Sequence, residues 1–323
     1  MNILLLAVGT RNKIVQYFKQ TWKDTGLVAA ADASGLAPAL YDADKYFIVP
    51  PITSADYKEL ILRICKEEKI NGILSLIDPE LGLLASMEEE FRAAGTMVIG
   101  SSPELCDISL DKMKMYRWLS SHGYDCARSW TGLEAFQKVV SKGEAGYPVF
   151  VKPITGSASI HISKAEDEEI LRQLFSRQEG LLIQEYLDGP EIGADVYVDM
   201  ITGEVVSIFT KKKIRMRAGE TDKSVSFKDD RLFELIEHFV REAGYRGPID
   251  IDLFDIGGRY YISEVNPRFG GGYLHAYECG CNHMQLILNN LKGIPNEKQI
   301  GRYEEGVYMM KYNEVCIRKD IEE

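Results

Sequence analysis

The first hundred residues alternate short apolar runs with amphipathic segments, and this pattern restricts the fold more than any other feature of the chain. Apolar runs that predict strands lie at residues 3–8, 28–31, 47–49, 73–76 and 97–99. Helical spacing is found in the intervening stretches 13–22, 57–69 and 81–94. Strands and helices that alternate in this way form a parallel sheet flanked by helices. The sequence therefore predicts an N-terminal α/β domain over residues 1–100.

The turn after the first predicted strand argues against one common use of such a domain. It reads Gly9-Thr10-Arg11, whereas the dinucleotide-binding fingerprint at this place is Gly-x-Gly-x-x-Gly. A nicotinamide dehydrogenase is therefore weakly supported.

A loop signal at Gly100-Ser101-Ser102-Pro103 predicts the end of this domain, and a different pattern follows it. Helical segments are predicted up to about residue 122 and at residues 133–142 and 230–243. Predicted strands, several joined by hairpin-like turns, lie at residues 149–152, 181–186, 194–200, 205–209, 249–254, 260–265 and 307–315. This pattern is typical of an α+β region with antiparallel pairing, so we expect a second domain over residues 101–323.

Composition and charge argue against several classes of function. The chain of 323 residues has 38 Lys and Arg against 49 Asp and Glu, a formal net charge of −11. Non-specific binding to nucleic acids or anionic membranes needs an excess of cations, so neither partner is expected. No stretch approaches the roughly 20 apolar residues of a membrane span, and the run at residues 3–8 is interpreted as a strand rather than a signal peptide. Six scattered cysteines favour a reducing, cytoplasmic setting over a disulfide framework.

Polar residues alternate along two neighbouring predicted strands. Asp250 and Asp252 share one strand face, as do Glu264 and Asn266, because alternate residues of a strand point the same way. Carboxylate and amide oxygens suit Mg²⁺, which usually keeps substrate phosphates in its shell. Arg268 follows directly and is a candidate clamp for a phosphoryl group. An exposed polar face of an antiparallel hairpin is the competing interpretation.

Two further segments contain the residue types of a nucleotide site. Lys152 ends a predicted strand, and the small-residue loop that follows it at residues 156–159 could hold phosphate by backbone N–H groups. The loop lacks the Gly-Lys-Ser/Thr ending of a Walker loop. The strand at Gln184 leads into a turn, where backbone groups could pair with adenine and Glu191 could hold the ribose hydroxyls. Taken singly, each segment is also an ordinary loop or strand end.

Together and in this order, these segments resemble the ATP-grasp superfamily, in particular single-copy relatives of the carbamoyl-phosphate synthase large subunit. The resemblance covers essentially the whole chain, and Glu264-Val265-Asn266-Pro267-Arg268 is its most specific motif. It implies an α/β plus α+β architecture, in which a Rossmann-like pre-ATP-grasp domain precedes a two-lobed ATP-grasp fold. The lid subdomain would span about residues 125–190 and the C-terminal subdomain about residues 191–323.

The resemblance also implies roles for individual residues. The residues implied to hold ATP are Lys112, Lys152, Gly156, Ser157, Ser159, the adenine hinge Gln184, Glu185 and Leu187, and the ribose acid Glu191. Two Mg²⁺ ions, with Mn²⁺ as an alternative, would be held by Asp252, Glu264 and Asn266. Asp250 takes the place of Asp252 if the strand register slips by two. Arg268 would stabilise the transferred phosphoryl group.

The implied activity is that of an ADP-forming ligase. A carboxylate would attack the γ-phosphate, and an amine or similar nucleophile would then displace phosphate from the acyl phosphate, so the expected partners are small carboxylic acids and amines. A carbamoyl-phosphate-synthase-like subunit that needs a partner chain is one alternative, although only one such unit and no ammonia-producing domain are visible. A nucleotide-binding module without turnover is another, and the intact set of site residues argues against it.

The loop departs from the family at one position, since His161 stands where many relatives have a glycine. The oligomeric state stays open, with a homodimer as one option.

A basic run in this acidic chain has two interpretations. Lys211, Lys213, Arg215 and Arg217 share one face if the segment is a strand. That face is either a solvated edge or a wall of the cleft. The second interpretation adds Lys213 and Arg215 to the predicted catalytic residues, since an arginine could hold a carboxylate bidentately.

Two other motifs have weaker support. Zinc-ligand residue types occur at His275, Cys279, Cys281 and His283. The span 273–291 also has the pattern of one helix, on which these side chains could not converge, so a packed helix is favoured. The run at residues 270–272 is all glycine, and it either leaves room for a ligand or forms a turn.

Overall fold

The computed structural model describes residues 1–156, 162–319 and 321, and its N-terminal part is a five-stranded parallel sheet. The strands are β1 (Asn2–Leu6), β2 (Val28–Asp32), β3 (Lys45–Ile48), β4 (Ile70–Ser75) and β5 (Met97–Val98). Their order in the sheet is β3-β2-β1-β4-β5. The chain thus moves outward on one side of β1 and then on the other, so the loops after β1 and β4 diverge and leave a crevice.

Helices cover this sheet on both faces. They are α1 (Asn12–Trp22), α2 (Tyr57–Glu67), α3 (Asp78–Ser86) and α4 (Glu88–Ala93), with a 3₁₀ helix at Pro38–Asp42. Ile3 and Leu5 of β1 belong to one apolar core, whereas Leu4 and Leu6 belong to another. A strand buried on both faces is a continuous apolar run, and this confirms the strand predicted at residues 3–8 for residues 3–6, while Ala7 and Val8 lie beyond its end.

Two short helices, α5 (Pro103–Leu110) and α6 (Lys112–Ser121), connect this sheet to the rest of the chain. Each helix begins at a polar cap. The side chain of Ser102 accepts a hydrogen bond from the backbone N–H of Leu105, and Asp111 accepts from those of Met113 and Lys114. The second cap fixes the start of α6 and places Lys112 in its first turn.

A small antiparallel sheet follows, with its own apolar core. Its strands are β6 (Ser129–Thr131), β7 (Val149–Pro153), β8 (Ser163–Ala165) and β9 (Leu181–Glu185), in the order β6-β9-β7-β8. Helices α7 (Leu133–Val140) and α8 (Glu168–Arg177) accompany it. Phe136, Val151, Leu171 and Ile183 pack together in this core. The loop between β7 and β8 includes residues 157–161, which lie outside the described part of the chain.

The largest sheet has six antiparallel strands in the order β14-β13-β10-β11-β12-β15. They are β10 (Glu191–Val198), β11 (Val205–Arg217), β12 (Glu220–Phe227), β13 (Gly247–Ile256), β14 (Arg259–Asn266) and β15 (Tyr308–Met310). The helices of this region are α9 (Asp230–Ala243), α10 (Tyr273–Glu278) and α11 (His283–Leu291). The predicted antiparallel region is therefore confirmed, and the basic run continues β11.

The N-terminal sheet and the largest sheet share one apolar core. Phe18 of α1 meets Phe269 edge to face, with ring centroids 5.9 Å apart. Tyr17, on the same helix, stacks on Tyr277 of α10 at 3.7 Å. Close packing of this kind positions the carboxyl edge of the N-terminal sheet relative to the largest sheet and so sets the width of the cleft between them.

The structure corrects the helix predicted over residues 273–291. The predicted helix is interrupted between α10 and α11 at Gly280, whose φ of 94° is a value that favours glycine. Asn282 then caps α11 by accepting a hydrogen bond from the backbone N–H of Gln285. The two histidines of the proposed zinc motif therefore lie on different helices.

Other elements differ from the sequence predictions for a physical reason. The strand predicted over residues 307–315 is shorter in the structure, where it is β15. The elements β8, α8 and β12 have no counterpart among the predicted elements. The inward side of β12 is polar, since the buried residues of this strand are Thr221, Asp222, Ser224 and Ser226. Such a strand lacks the apolar alternation by which strands are recognised. None of the helices in the described part of the chain is long and apolar enough to cross a membrane.

Candidate active site

A cavity of about 360 Å³ lies where the small sheet, the largest sheet and the carboxyl edge of the N-terminal sheet meet. Most residues predicted for the site line it: Lys152, Gln184, Glu185, Leu187, Glu191, Lys213, Asp252, Glu264, Asn266 and Arg268. Of the other described candidates, Lys112, Gly156 and Arg215 do not line it. Ser157 and Ser159, together with His161, lie outside the described residues.

The pairing of β13 with β14 brings the predicted metal ligands together. Asp252 is paired with Glu264, and Asp250 is paired with Asn266, so all four side chains lie on one face. Burial raises the pKa of both aspartates, and neighbouring carboxylates raise it further. A divalent cation would relieve this repulsion, and oxygen donors of this kind fit Mg²⁺.

Asp250 has two long polar contacts, whereas Asp252 has one short contact, to Lys213. Oδ2 of Asp250 accepts a hydrogen bond from Asn266 at 3.5 Å and lies 4.0 Å from Nη1 of Arg268. The side chain of Asp250 is 15% exposed, whereas that of Asp252 is 22% exposed. The greater exposure of Asp252 favours it over Asp250 as the candidate metal ligand beside Glu264 and Asn266.

Lys213 of β11 reaches into this acidic face. Its Nζ lies 2.6 Å from Oδ1 of Asp252 and 2.8 Å from Oε1 of Glu191, and its side chain is only 4% exposed. Burial lowers the pKa of Lys213, but the two carboxylates outweigh burial and raise it above its ordinary value. Lys213 therefore stays charged and links the predicted ribose acid to the predicted metal ligand.

Arg215 does not accompany Lys213 into the cavity, which corrects the prediction made from simple alternation. The pairing of β11 with β12 shifts register between Lys213 and Arg215 and again between Arg215 and Met216. Arg215 is consequently exposed, and Met216 lines the cavity instead. Lys211, two residues earlier, is fully buried and forms an ion pair with Asp195. Irregular pairing of this kind re-aims side chains, and alternation cannot predict it.

Two lysines lie near the loop that follows β7. Lys152 is 7% exposed and has no carboxylate partner within 4.0 Å among the described residues, and burial lowers its pKa to about 8. Lys112 donates from Nζ to the carbonyl of Gly156, and its backbone N–H donates to that of Ile154 at 3.0 Å. Lys152 is thus the buried cation available to an anionic ligand, while Lys112 holds the described end of the loop.

The predicted adenine hinge borders a partly apolar slot. Gln184 is buried and donates to Oγ of Ser129 at 3.0 Å. The carboxylate of Glu185 forms two hydrogen bonds with the guanidinium of Arg128, at 2.8 and 3.1 Å, and these lower the pKa of Glu185. The side chain of Glu185 is therefore occupied by Arg128. Apolar lining of the cavity is provided by Ala127, Phe150, Leu187 and Phe254.

The opposite end of the cavity contains residues that the sequence analysis did not identify. Arg11 follows β1, Asp78 follows β4, and Glu220 begins β12. Nη2 of Arg268 donates to Oδ2 of Asp78 at 2.8 Å, and Nη2 of Arg11 lies 3.3 Å from Oε1 of Glu220. Arg11 and Asp78 follow β1 and β4, the two strands between which the sheet order reverses. This position is the sequence feature from which their role in a site could have been predicted.

The three glycines after Arg268 are explained by close approach. A Cβ atom added at Gly270 would lie 2.3 Å from Oδ1 of Asp250, and one at Gly271 would lie 2.4 Å from Cδ of Glu220. A Cβ atom at Gly272 would lie 2.9 Å from Cε of Lys211. This loop can therefore lie against charged side chains only because its three glycines have no side chains.

The histidine and cysteine motif does not form a metal site. His275 bonds Oγ of Ser224 at 2.8 Å, His283 bonds Oγ of Ser207 at 3.1 Å, and burial lowers the pKa of these histidines to about 4 and about 3. Nowhere in the described ranges are three or more His, Cys, Asp or Glu side chains arranged to hold a metal. A cation between Asp252 and Glu264 would thus depend on the Asn266 amide, phosphate oxygens and water.

The three sheets and the lysine- and carboxylate-lined cavity between them define a nucleotide-binding class of α/β protein. Comparison with family models gives two matches: an ATP-grasp domain over residues 109–272 and a PylC-like N-terminal domain over residues 3–99. The chain therefore belongs to the ATP-grasp family, as its motifs predicted.

Curated relatives include carbamoyl phosphate synthase large chains. The large chain of Vibrio cholerae serotype O1 is 26% identical over 247 residues, and the arginine-specific large chain of Bacillus subtilis strain 168 is 24% identical over 240 residues. These alignments cover 71% and 70% of this chain, respectively. In both cases they span only 22% of the relative, so the similarity concerns about a fifth of those proteins.

Solved structures with the same fold are more varied. The biotin carboxylase domain of Hydrogenobacter thermophilus 2-oxoglutarate carboxylase, solved with MgADP, ADP and bicarbonate, has a TM-score of 0.76 at 17% identity. Its alignment covers 95% of this chain and 73% of that one. An L-amino acid ligase from Bacillus licheniformis has a TM-score of 0.67 at 19% identity, with coverages of 92% and 75%. At these identities the likeness concerns the fold.

Proposed function

We propose that the protein is an ATP-dependent, ADP-forming ligase that activates a carboxylate as an acyl phosphate and joins it to an amine. The observation that carries this proposal is the single acidic face formed by Asp252, Glu264 and Asn266, with the cations Lys152, Lys213 and Arg268 around it. A phosphoryl-transfer site needs this combination, because negative charge is concentrated there and catalysis depends on positioning and neutralisation.

In this proposal, ATP lies between the small sheet and the largest sheet. The adenine occupies the slot near Phe150 and Phe254 and meets the backbone at residues 186–187, and Glu191 holds the ribose. Lys152 contacts the phosphates, supported by the buried position that leaves it without a carboxylate partner among the described residues. The lid subdomain, about residues 125–190, closes over the nucleotide, and Gly156, Ser157 and Ser159 cover the phosphates together with Lys112.

Asp252, Glu264 and Asn266 would hold the two Mg²⁺ ions that accompany ATP, and these would neutralise charge on the β- and γ-phosphates. A carboxylate oxygen of the acid forms a bond to the γ-phosphorus while the bond to the β-phosphate oxygen breaks, which releases ADP. Arg268 stabilises the transferred phosphoryl group. The amine nitrogen then bonds to the acyl carbon, inorganic phosphate leaves, and the amine loses a proton.

A second candidate is a carbamoyl-phosphate-synthase-like subunit, which the similarity to carbamoyl phosphate synthase large chains favours. Here bicarbonate is the acid, and a partner chain supplies ammonia. The two candidates differ in the acid that stimulates ADP release, so one assay separates them.

The test measures ADP release by the purified chain with ATP, Mg²⁺ and a panel of carboxylic acids, bicarbonate included. Hydroxylamine serves as a general nucleophile, because it converts an acyl phosphate into a stable hydroxamate. We expect hydroxamate to form with at least one organic acid and to need that acid, ATP and Mg²⁺ together. Stimulation by bicarbonate alone would favour the second candidate, and ATP binding without ADP release in the presence of any acid would refute both.

A further inference from the structure

A crevice at the carboxyl edge of the N-terminal sheet opens into the cavity away from the nucleotide slot. It lies between the loops after β1 and β4, where the strand order reverses. In open α/β sheets this is the position at which ligands bind. Arg11 and Asp78 lie there, and Glu220 of β12 faces Arg11 across the crevice.

The charges at this end of the cavity balance one another. Glu220 is flanked by two cations, with Oε1 3.3 Å from Arg11 and Oε2 2.8 Å from Nζ of Lys311. Arg268 lies between Asp78, at 2.8 Å, and Asp250, at 4.0 Å. Three cations thus face three carboxylates. A dicarboxylate would add uncompensated negative charge, whereas a ligand with one charge of each sign would find a partner for each.

Arg11 has capacity for another partner. In the described part of the chain its guanidinium makes the ion pair with Glu220 and no other side-chain hydrogen bond, although it has five N–H donors. Its side chain is 21% exposed and that of Glu220 is 39% exposed. A bidentate contact from Arg11 to a carboxylate is therefore open, and Glu220 keeps lone pairs for an amino group.

We propose that Arg11 and Glu220 recognise the amine-bearing substrate as an amino acid, with its carboxylate on Arg11 and its amino group on Glu220. This inference rests on the proposed ligase function and names the substrate class of the same site. The carboxylate that becomes phosphorylated lies beside Arg268 and the acidic face, next to the position of the amino group. The amino group binds Glu220 as an ammonium, and it loses a proton to Glu220 or to solvent before its free electron pair attacks the acyl carbon.

The test uses the full chain and an acid identified by hydroxamate formation in the wild type. With that acid fixed, amino acids are compared with amines of the same carbon skeleton that lack the carboxylate. We expect the amino acids to have kcat/KM values about 10- to 100-fold higher, as a charge-assisted hydrogen-bonded contact provides. Failure to form any hydroxamate would refute the ligase function itself, which is a different result from a failure of amino-acid preference.

Two variants assign the two contacts. Arg11→Met should raise the KM for the amino acid about 10- to 100-fold and change that for the matching amine far less. Glu220→Gln should raise the KM for the amino acid and for the matching amine, because both substrates carry the amino group. Arg63→Met and Glu67→Gln, on the exposed side of α2, are the matched controls and should change neither.

Arg11→Lys is the conservative variant, which separates loss of the contact from a folding defect because it keeps the charge and loses the bidentate geometry. We expect its KM for the amino acid to lie between those of the wild type and Arg11→Met. The proposal is overturned if the wild type uses simple amines as well as amino acids. It is also overturned if Arg11→Lys and Arg11→Met leave the KM for the amino acid unchanged, or raise the KM for both substrates equally.

Discussion

The ammonium group of Lys213 lies 2.6 Å from Oδ1 of Asp252, the aspartate that we propose as a metal ligand. The same Nζ lies 2.8 Å from Glu191. One cation on β11 therefore compensates two carboxylates that have different proposed roles, one toward the metal and one toward the ribose. Removing it should affect folding and nucleotide binding together.

Lys213→Met should lower the free energy of unfolding by about 1–3 kcal/mol, because two partly buried carboxylates lose their cation. It should also reduce turnover, since the acidic face then repels the phosphates. Chemical denaturation and ADP release measure the two effects. Arg215→Met is the matched control: this residue is exposed and outside the cavity, so we expect a change of no more than about 0.5 kcal/mol and normal kinetics. Equal effects of the two variants would contradict the placement of Lys213.

Glu264→Gln should abolish turnover without loss of stability. Glu264 lies opposite Asp252, and its charge helps to raise the pKa of that aspartate, so its removal relieves repulsion there while it weakens the attraction to Lys152 and Arg268. We therefore expect a Tm close to that of the wild type, with Mg²⁺-dependent ADP release reduced to background. Wild-type rates in this variant would show that Glu264 is not a metal ligand.

Binding of ATP should weaken above a pH of about 8, because burial lowers the pKa of Lys152 to about 8 and only the charged lysine attracts phosphate. The folded pKa is below the unfolded value, so the ligand-free protein should gain stability from this group as pH rises through about 8 towards 10.5. Titration calorimetry with an ATP analogue from pH 6.5 to 9.5 measures the first effect. Lys152→Arg keeps a cation at every pH of the series, and its affinity should lose this dependence on pH.

The enzyme should prefer ATP to GTP by about 10- to 100-fold in kcat/KM, because backbone groups matched to adenine leave unpaired polar groups against guanine. The backbone at residues 186–187 is the candidate reader, since the side chain of Glu185 is bound to Arg128. Competition between the two nucleotides in the hydroxamate assay gives the ratio. Equal use of ATP and GTP would place the base elsewhere.

The acidic face could be predicted from the sequence because strand alternation is local. Asp252, Glu264 and Asn266 lie on strands whose apolar residues mark the buried side, so their common face follows from position alone. Arg215 shows where this reasoning stops. Two register shifts in the pairing of β11 with β12 turn its side chain to solvent, and they depend on contacts between strands rather than on residue type.

Arg11 and Asp78 could not be predicted from local patterns. Their proximity depends on the order in which β1 and β4 pair, which is set by packing across the whole N-terminal sheet. Glu220 was missed because β12 has a buried polar side and therefore lacks an apolar period. The residues of the proposed nucleotide site lie in sequence motifs, whereas Arg11 and Asp78 are brought together by the order of the strands.

The ion pairs that join Arg11 to Glu220 and Glu220 to Lys311 connect the loop after β1 to the residue that follows β15. A ribosome makes Asp252, Glu264 and Asn266 before it makes Lys311. The residues of the acidic face are therefore present while Glu220 still lacks its second cation. The proposed amine-binding crevice thus acquires its last charged residue only after the proposed metal ligands have been synthesised.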